Sequence, residues 1–368
     1  MIAGSFTFQN GATCMSNRKN EQVIMSTLEK EINEQPVVIA RLLERETENV
    51  RQLVGHLRGN FNHVVIAARG TSDNAARYAK YLLGAYNQLQ VALATPSLFT
   101  LYQHPPQMDH ALVIGISQSG QSPDIVAVVA EGRRQGRPTL AITNALQSPL
   151  AQAAEHVVAL HTGPEQAVAA TKTYTASLAV LALFSTLLTG DEARLAQLRA
   201  LPERASQTLV ALTPILRRVE RYRYINHCVV IGRGYNYATA FEIALKIKEL
   251  TRVVAEPYSS ADFRHGPIAM IGDGFPVILV APSGAVRDDI RALITELEKL
   301  KAEQLVISDD ARLLARAHLA LPLPADVPEW LTPLVAVLPG QLFGLALAEV
   351  KGLDPDQPLG LSKVTETL

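Results

Sequence analysis

One block of the chain recurs about 164 residues later, and no other feature limits the possible folds as much. The run "HVVIAARG" (63–70) returns as "CVVIGRG" (228–234), and its closing glycines, Gly70 and Gly234, are 234 − 70 = 164 residues apart. "VIGISQSG" (113–120) lies over "VILVAPSG" (277–284) at the same offset, as Asp124 does over Asp288. "LAITN" (140–144) then meets "LVISD" (305–309) at 165. Landmarks kept in order at a fixed spacing describe a tandem duplication. Each copy alternates apolar, strand-like runs with periodic stretches of helical length, the pattern of βαβ units around a parallel sheet. Strands are expected at 63–68, 90–94, 111–116, 138–142 and 156–160, with helices at 74–86, 122–135 and 170–189. In the second copy strands are expected near 226–231, 253–256, 276–281, 303–307 and 318–321, with helices at 237–250, 286–299 and 329–350. The expected fold class is α/β: two tandem, doubly wound parallel sheets and a C-terminal tail. The expected divisions are an N-terminal segment 1–44, a first domain 45–190, a helical linker 191–224, a second domain 225–350 and a tail 351–368.

Composition narrows the partner. A net charge of −1 with no long basic block lacks the footprint of nucleic-acid or anionic-membrane binding, so neither partner is expected and a small molecule leads. The two cysteines, Cys14 and Cys228, have no metal-ligand spacing around them, which argues against a disulfide framework and a thiolate zinc site. A reducing cytoplasm fits that usage. Two long uncharged runs, 173–190 and 330–348, are expected to be buried helices rather than membrane spans, because one is dotted with Ser and Thr and the other carries Pro333, Pro339 and Gly340. Residues 1–24 lack the basic start and apolar core of a signal peptide and read as a loose tail or upstream-start artefact ahead of Met25.

The stretch "GISQSGQSPDI" (115–125) puts three hydroxyls and a glutamine directly after an apolar run, with no lysine or arginine. If the run is a central parallel strand and "SPDIVAVVAEGRRQ" a helix, the turn between them sits at the carboxyl edge of the sheet, where open α/β sheets place ligands. Ser122 is then expected as an N-cap, Pro123 as the first helical residue and Asp124 as a complement to the positive helix end. Free amides together with Ser117, Gln118, Ser119 and Ser122 make a cradle for a phosphate monoester. A plain strand-to-helix loop with a capping serine would read similarly. The matching "APSGAV" of the second copy keeps only one serine and the glycine, so the first copy is the specialised one. "RGTSDN" (69–74) offers a second small, hydroxyl-bearing turn to close on the same ligand. No GxxxxGK[ST] loop occurs, and "GRGYNY" lacks the third glycine of a dinucleotide fingerprint, so ATP and NAD are disfavoured.

These residues resemble a known family. "GTS", "SQSG" followed by a hydroxyl, the duplication, "ALKIKE", "HGPIAMI" and the ending "DQPLGLSKVTETL" together resemble the sugar isomerase (SIS) domain pair. The resemblance is closest to the isomerase half of glucosamine 6-phosphate synthase and to stand-alone glucosamine 6-phosphate deaminases. It covers roughly residues 25–368 and implies two flavodoxin-like SIS domains. Glu242, Lys246 and Glu249 recur along one stripe of an apolar helix, which by itself reads more readily as an ion-pair ladder. The resemblance makes Glu249 the carboxylate that moves a proton between C2 and C1 of an open-chain sugar, with Lys246 assisting. His265, otherwise a histidine in a Gly-Pro turn, becomes the ring-opening acid/base. In the family it comes from the neighbouring subunit, which implies a homodimer with a shared site. Lys363, otherwise a solvated tail lysine, becomes the amine that folds over the site and can form a Schiff base with the sugar ketone. Gly70, Thr71, Ser72, Ser117, Gln118, Ser119, Ser122 and Val168 match sugar-phosphate contacts.

Arg69, Ala170 and the pair Ser122-Pro123 depart from the synthase pattern. A glutaminase domain of the synthase's size is not expected ahead of the duplication, and "SGQSPD", "SSADFRHGP" and "LSKVTETL" lean toward the deaminase-type relatives. The function expected is isomerising deamination of glucosamine 6-phosphate to fructose 6-phosphate and ammonia, with no metal and no organic cofactor. An isomerase or deglycase acting on another keto- or fructosamine-type sugar phosphate, or a sugar-phosphate sensor without turnover, are the alternatives.

Overall fold

The computed structural model describes residues 25–363, and its frame is two five-stranded parallel sheets. The first joins β1 (His63–Ala67), β2 (Gln90–Leu93), β3 (Ala111–Ile116), β4 (Thr139–Thr143) and β5 (His156–Ala159) in the order β2-β1-β3-β4-β5. The second joins β6 (His227–Gly232), β7 (Val254–Ser259), β8 (Pro276–Val280), β9 (Glu303–Ser308) and β10 (Leu319–Pro322) in the order β10-β9-β8-β6-β7, the same winding read from the other edge. The α/β class and the doubly wound sheets are as expected. Strand β3 is buried at all six positions, as a strand covered on both faces must be.

The duplication extends to strand register. Val65 pairs with Val113, and Val229 pairs with Val277, so both partners shift by the same 164 residues (229 − 65 and 277 − 113). Val113 pairs with Thr139 and Val277 with Gln304, so the shift becomes 304 − 139 = 165 at the next strand. The one-residue insertion read in the sequence therefore lies in the crossover before β9, and pairing is restored beyond it. In each sheet the winding reverses beside the copy's first strand, between β1 and β3 and between β6 and β8. A crevice for ligands opens at the carboxyl edge of such a point.

The main helices are α1 (Thr27–Leu57), α2 (Gly70–Asn87), α3 (Pro123–Arg134), α4 (Lys172–Thr189), α5 (Glu192–Arg199), α6 (Leu201–Leu212), α7 (Asn236–Thr251), α8 (Arg287–Lys299) and α9 (Thr332–Val350). Helix α1 was not foreseen. It is one continuous helix of 31 residues, and the expected division at 44/45 falls inside it. Pro36 lies within its span, where proline removes a donor; the carbonyl of Ile32 instead accepts from Gln35 Nε2 at 2.9 Å. Helix α2 begins four residues before the expected 74, so most of "RGTSDN" is its first turn rather than a loop. Its Ser, Asp and Asn read as turn residues but are also well suited to a helix start. Residues 1–24, expected to be a loose tail or upstream-start artefact, lie outside the described residues.

α4 and α9 are long and apolar enough to cross a membrane, yet 89% and 100% of their apolar windows are buried inside the fold. Helices apolar all round belong in a protein interior. With α1, α2 and α7 they fill one core cluster that reaches residues of both sheets, while smaller clusters lie under α8 and under α3. Gln35 ties this interior together: it donates to Gln341 of α9 at 2.7 Å and accepts from Thr175 of α4 at 3.0 Å.

Candidate active site

Both turns expected to hold the ligand leave adjacent strands at the reversal point of the first sheet. The turn after β3 reaches α3 through Ser117–Ser122. Gly120 has φ +63°, and a Cβ there would lie 2.1 Å from Ser148 Oγ, so only glycine fits. Its amide donates to Ser117 Oγ at 3.1 Å, and the Gln121 amide donates to Ser119 Oγ at 3.3 Å. The Gln118 carbonyl accepts from the Asn144 amide, which holds the turn against β4. The amides of Gln118, Ser119 and Ser122 find no acceptor among the described residues. Ser122 is the N-cap residue of α3, but its hydroxyl makes no capping bond; only its carbonyl starts the helix, accepting from Ile125 and Val126. The expected capping role is therefore not made, and the hydroxyl stays available.

The turn after β1 brings Gly70, at φ +52°, and Thr71 and Ser72 into the first turn of α2, with the Ser72 amide bonded to the Arg69 carbonyl at 3.0 Å. Arg69 Nε donates to Asp124 Oδ2 at 2.7 Å, fastening the two turns to each other. Asp124 is fully buried while Arg69 is half exposed. The sequence reading gave Asp124 only a helix-end role.

From the second half, α7 carries Glu242, Lys246 and Glu249 on one stripe. Lys246 Nζ is 2.5 Å from Glu249 Oε2, 3.5 Å from Glu242 Oε1 and 3.1 Å from Thr71 Oγ1. Glu242 also accepts from Asn74 Nδ2 at 2.8 Å and from Thr71 Oγ1 at 3.2 Å. Thr71 thus joins the first sheet's edge to the acid-lysine stripe of the second half. Burial pushes the Glu242 carboxyl up to about 7, against Lys246 and the hydrogen bonds of Asn74 and Thr71. Burial draws Lys246 down, but the Glu249 and Glu242 carboxylates outweigh it, so its affinity for a proton ends above the ordinary value. Lys246 and Glu242 side chains are 1% and 0% exposed, whereas Glu249 is 22% exposed. Of the two carboxylates, only Glu249 is within reach of a ligand.

The tail arrives beside them. Lys363 Nζ donates to the Ala167 carbonyl at 2.6 Å and to Glu165 Oε2 at 3.1 Å, next to Val168. Glu165 is held by the amides of Thr171 and Thr173 at 3.0 and 3.1 Å and by Thr173 Oγ1 at 2.8 Å. It also contributes to the field that keeps Lys246 protonated, so the two lysines share one neighbourhood.

The sequence profile of the SIS domain matches residues 57–187 and 222–348, one match to each copy. The chain belongs to the SIS domain family. The two SIS copies align with glutamine–fructose-6-phosphate aminotransferase [isomerizing] from Pyrococcus horikoshii, at 34% identity over 340 residues, covering 91% of this chain and 56% of that protein. The chain thus spans little more than half the length of that relative. A protein from Silicibacter pomeroyi assigned as a phosphosugar isomerase shares the structure at TM-score 0.81 and 31% identity, covering 90% of this chain and 100% of that one. The C-terminal domain of glucosamine-fructose-6-phosphate aminotransferase from Francisella tularensis does so at TM-score 0.82 and 25% identity, covering 92% and 100%.

The second SIS copy shows what the turn after its third strand can hold. There Ser283 donates its amide to Asp309 Oδ1 at 2.7 Å, and Ala285 donates to Glu329 Oε2 at 2.8 Å. Glu329 fills the space so closely that a Cβ on Gly284 would meet its carboxyl carbon at 2.2 Å. An internal carboxylate therefore occupies the amide turn of the second SIS copy, while the first copy's turn keeps amides unpartnered among the described residues.

One expected residue stays apart. His265 is exposed at the end of the short helix Ser260–Arg264, and no described hydrogen bond or ion pair joins it to the Thr71–Lys246–Glu249 group. Glu165, Asn74 and Glu242 were not among the sequence-derived site residues. Glu242 reads from sequence only as part of the stripe, and nothing local ties Asn74 or Glu165 to the site, since Asn74's partner Glu242 and Glu165's partner Lys363 lie 168 and 198 residues away.

Proposed function

We propose that this chain isomerises and deaminates a 2-amino sugar phosphate, taking glucosamine 6-phosphate and water to fructose 6-phosphate and ammonia. The observation that carries the reading is Thr71, in the turn fastened to the serine turn by Arg69 and Asp124, bonding the Lys246 that holds the accessible Glu249, with Lys363 docked on Glu165 nearby. The phosphate sits in the turn formed by Ser117, Gln118, Ser119 and Ser122, closed by Gly70, Thr71 and Ser72. His265 of a second copy opens the sugar ring, which makes the active unit a homodimer. Glu249 removes the proton from C2 of the aldehyde form and returns it to C1, leaving an imine at C2. Lys246, held cationic, steadies the negative charge that develops between those carbons. Lys363 attacks the imine carbon, ammonia leaves, and water releases the ketose from the lysine. Val168 lies beside that amine.

An isomerase that only moves a proton between C1 and C2 needs no amine at the sugar carbon. The docking of Lys363 next to Glu165 therefore favours the deaminating reading over isomerisation of an unsubstituted phosphosugar. The test is ammonia release from glucosamine 6-phosphate by the purified chain, with Glu249→Gln alongside. The variant should lose at least about 1,000-fold in kcat while still binding the sugar phosphate. Full ammonia release by Glu249→Gln would remove the assigned base. Ketose formation from an aldose phosphate without ammonia release would leave an isomerase of another substrate, and binding without turnover a sensor.

A further inference from the structure

Asp356 opens the ending "DQPLGLSKVTETL" but has no part in the chemistry above. In the structure Asp356 reaches back 328 residues. Its two oxygens accept from the first amides of α1, Oδ2 from Thr27 and Oδ1 from Leu28, each at 2.8 Å. The third amide, of Glu29, goes to Ser26 Oγ at 3.1 Å. Helix starts leave such donors unpaired and carry partial positive charge, so a carboxylate from the tail is well matched to them. Pro355 and Pro358 are buried on either side of it.

The same helix holds the loop that receives the tail's lysine. Glu31, one turn further along α1, accepts from the amides of Gln166 at 2.6 Å and Ala167 at 3.2 Å. Lys363 then donates to the carbonyl of that same Ala167. The contacts close a ring: Asp356 to α1, Glu31 to the 165–167 loop, the loop to Lys363, and seven residues of chain (363 − 356) back to Asp356. Both the amine and its seat are set by one rigid element.

We propose that Asp356 is a positioning residue for Lys363, fastening the tail to the first turn of α1 so that the amine is delivered to the Glu165–Ala167 loop. The proposal rests on the reading of Lys363 as the imine-forming amine. Without the fastening, the tail keeps its buried Pro355 and Pro358 but loses its two bonds to the start of α1, and the amine searches a larger volume. The phosphate cradle is untouched, so binding should hold while the amine step slows.

Two readouts on the full chain test it. Asp356→Ala should lower kcat on glucosamine 6-phosphate about tenfold with KM changed by less than about twofold, and Asp356→Asn, which keeps one acceptor, should recover part of the loss. Independently of turnover, the lysine-specific protease Lys-C should release the terminal pentapeptide VTETL from Asp356→Ala several-fold faster than from the wild type, scored by mass spectrometry, because Lys363 is no longer held in its seat. Unchanged cleavage, or faster cleavage with wild-type kcat, overturns the proposal. A wild type without turnover whose Asp356→Ala variant is nonetheless cleaved faster leaves the fastening in place and removes the proposed reaction instead.

Discussion

Replacing Lys246 with methionine keeps most of the apolar stem but takes the cation from between Glu242 and Glu249. The consequence can be worked through Glu242, which is 0% exposed and held up at about 7 against an ordinary 4.5. A carboxyl that binds its proton more tightly folded than unfolded adds stability that is fully present below the unfolded value, 4.5, and lost as pH rises through the folded value, about 7. In the wild type the loss stops there, since above it both states are ionised. Without Lys246 the buried carboxylate has no cation beside it, its affinity for the proton rises further, and the loss continues at about 1.4 kcal/mol per pH unit. The stability gap between wild type and Lys246→Met should therefore be about 2 kcal/mol larger at about pH 8.5 than at about pH 6.5. Equilibrium urea unfolding followed by circular dichroism across that range measures it. In the Glu242→Gln background the gap should be the same at every pH. A constant gap in the single comparison, or a slope that survives Glu242→Gln, would refute the assignment of Glu242 as the buried, proton-hungry partner.

Three further outcomes follow from the first sheet's edge. Ser122→Ala should leave thermal stability within about 0.5 kcal/mol, because the hydroxyl caps nothing, yet weaken sugar-phosphate binding measured by calorimetry. Gly120→Ala should destabilise by more than about 1 kcal/mol, from its positive φ and the overlap with Ser148, and should abolish saturable phosphosugar binding. Asp124→Asn, which removes the buried charge facing Arg69, should loosen the joint between the two turns, raising KM more than it lowers kcat in the ammonia-release assay.

The strands were legible because the duplication states them twice, and two noisy readings at a fixed offset restrain each other. The one-residue slip from 164 to 165, visible as letters, reappears as pairing register at β4 and β9. Helix α1 had no second copy to restrain it, and its interior proline argues locally against the long helix that packing in the shared core stabilises. The same difference separates the legible from the hidden parts of the site. Serines in a glycine turn and a stripe on one helix are local patterns, whereas Asn74, Asp356 and the Glu165 bond to Lys363 join residues more than 160 positions apart.

The duplication also carries an argument about ligand charge that neither copy makes alone. Two turns of common origin leave the third strand of the same sheet winding with amides facing outward. In the second, Glu329 and Asp309 supply carboxylate oxygens to those amides from within the protein. Amides drawn so closely to an internal anion belong to a turn whose geometry suits oxyanions, since unpaired donors at such a site are costly. The first turn differs at its glycine, φ +63° at Gly120 against +151° at Gly284, but its Ser119 amide, at the place of Ser283, has no acceptor among the described residues; it adds Ser117 and Ser122, and no carboxylate bonds its amides among those residues. Asp124, the nearest acid to it in sequence, is turned away into its bond with Arg69. Under the proposed function, an anion brought by the ligand would complete the first turn as Glu329 completes the second. On this argument an uncharged sugar of the same stereochemistry should bind far more weakly than its 6-phosphate, and equal affinity for the two in calorimetry would show that the turn holds no phosphate.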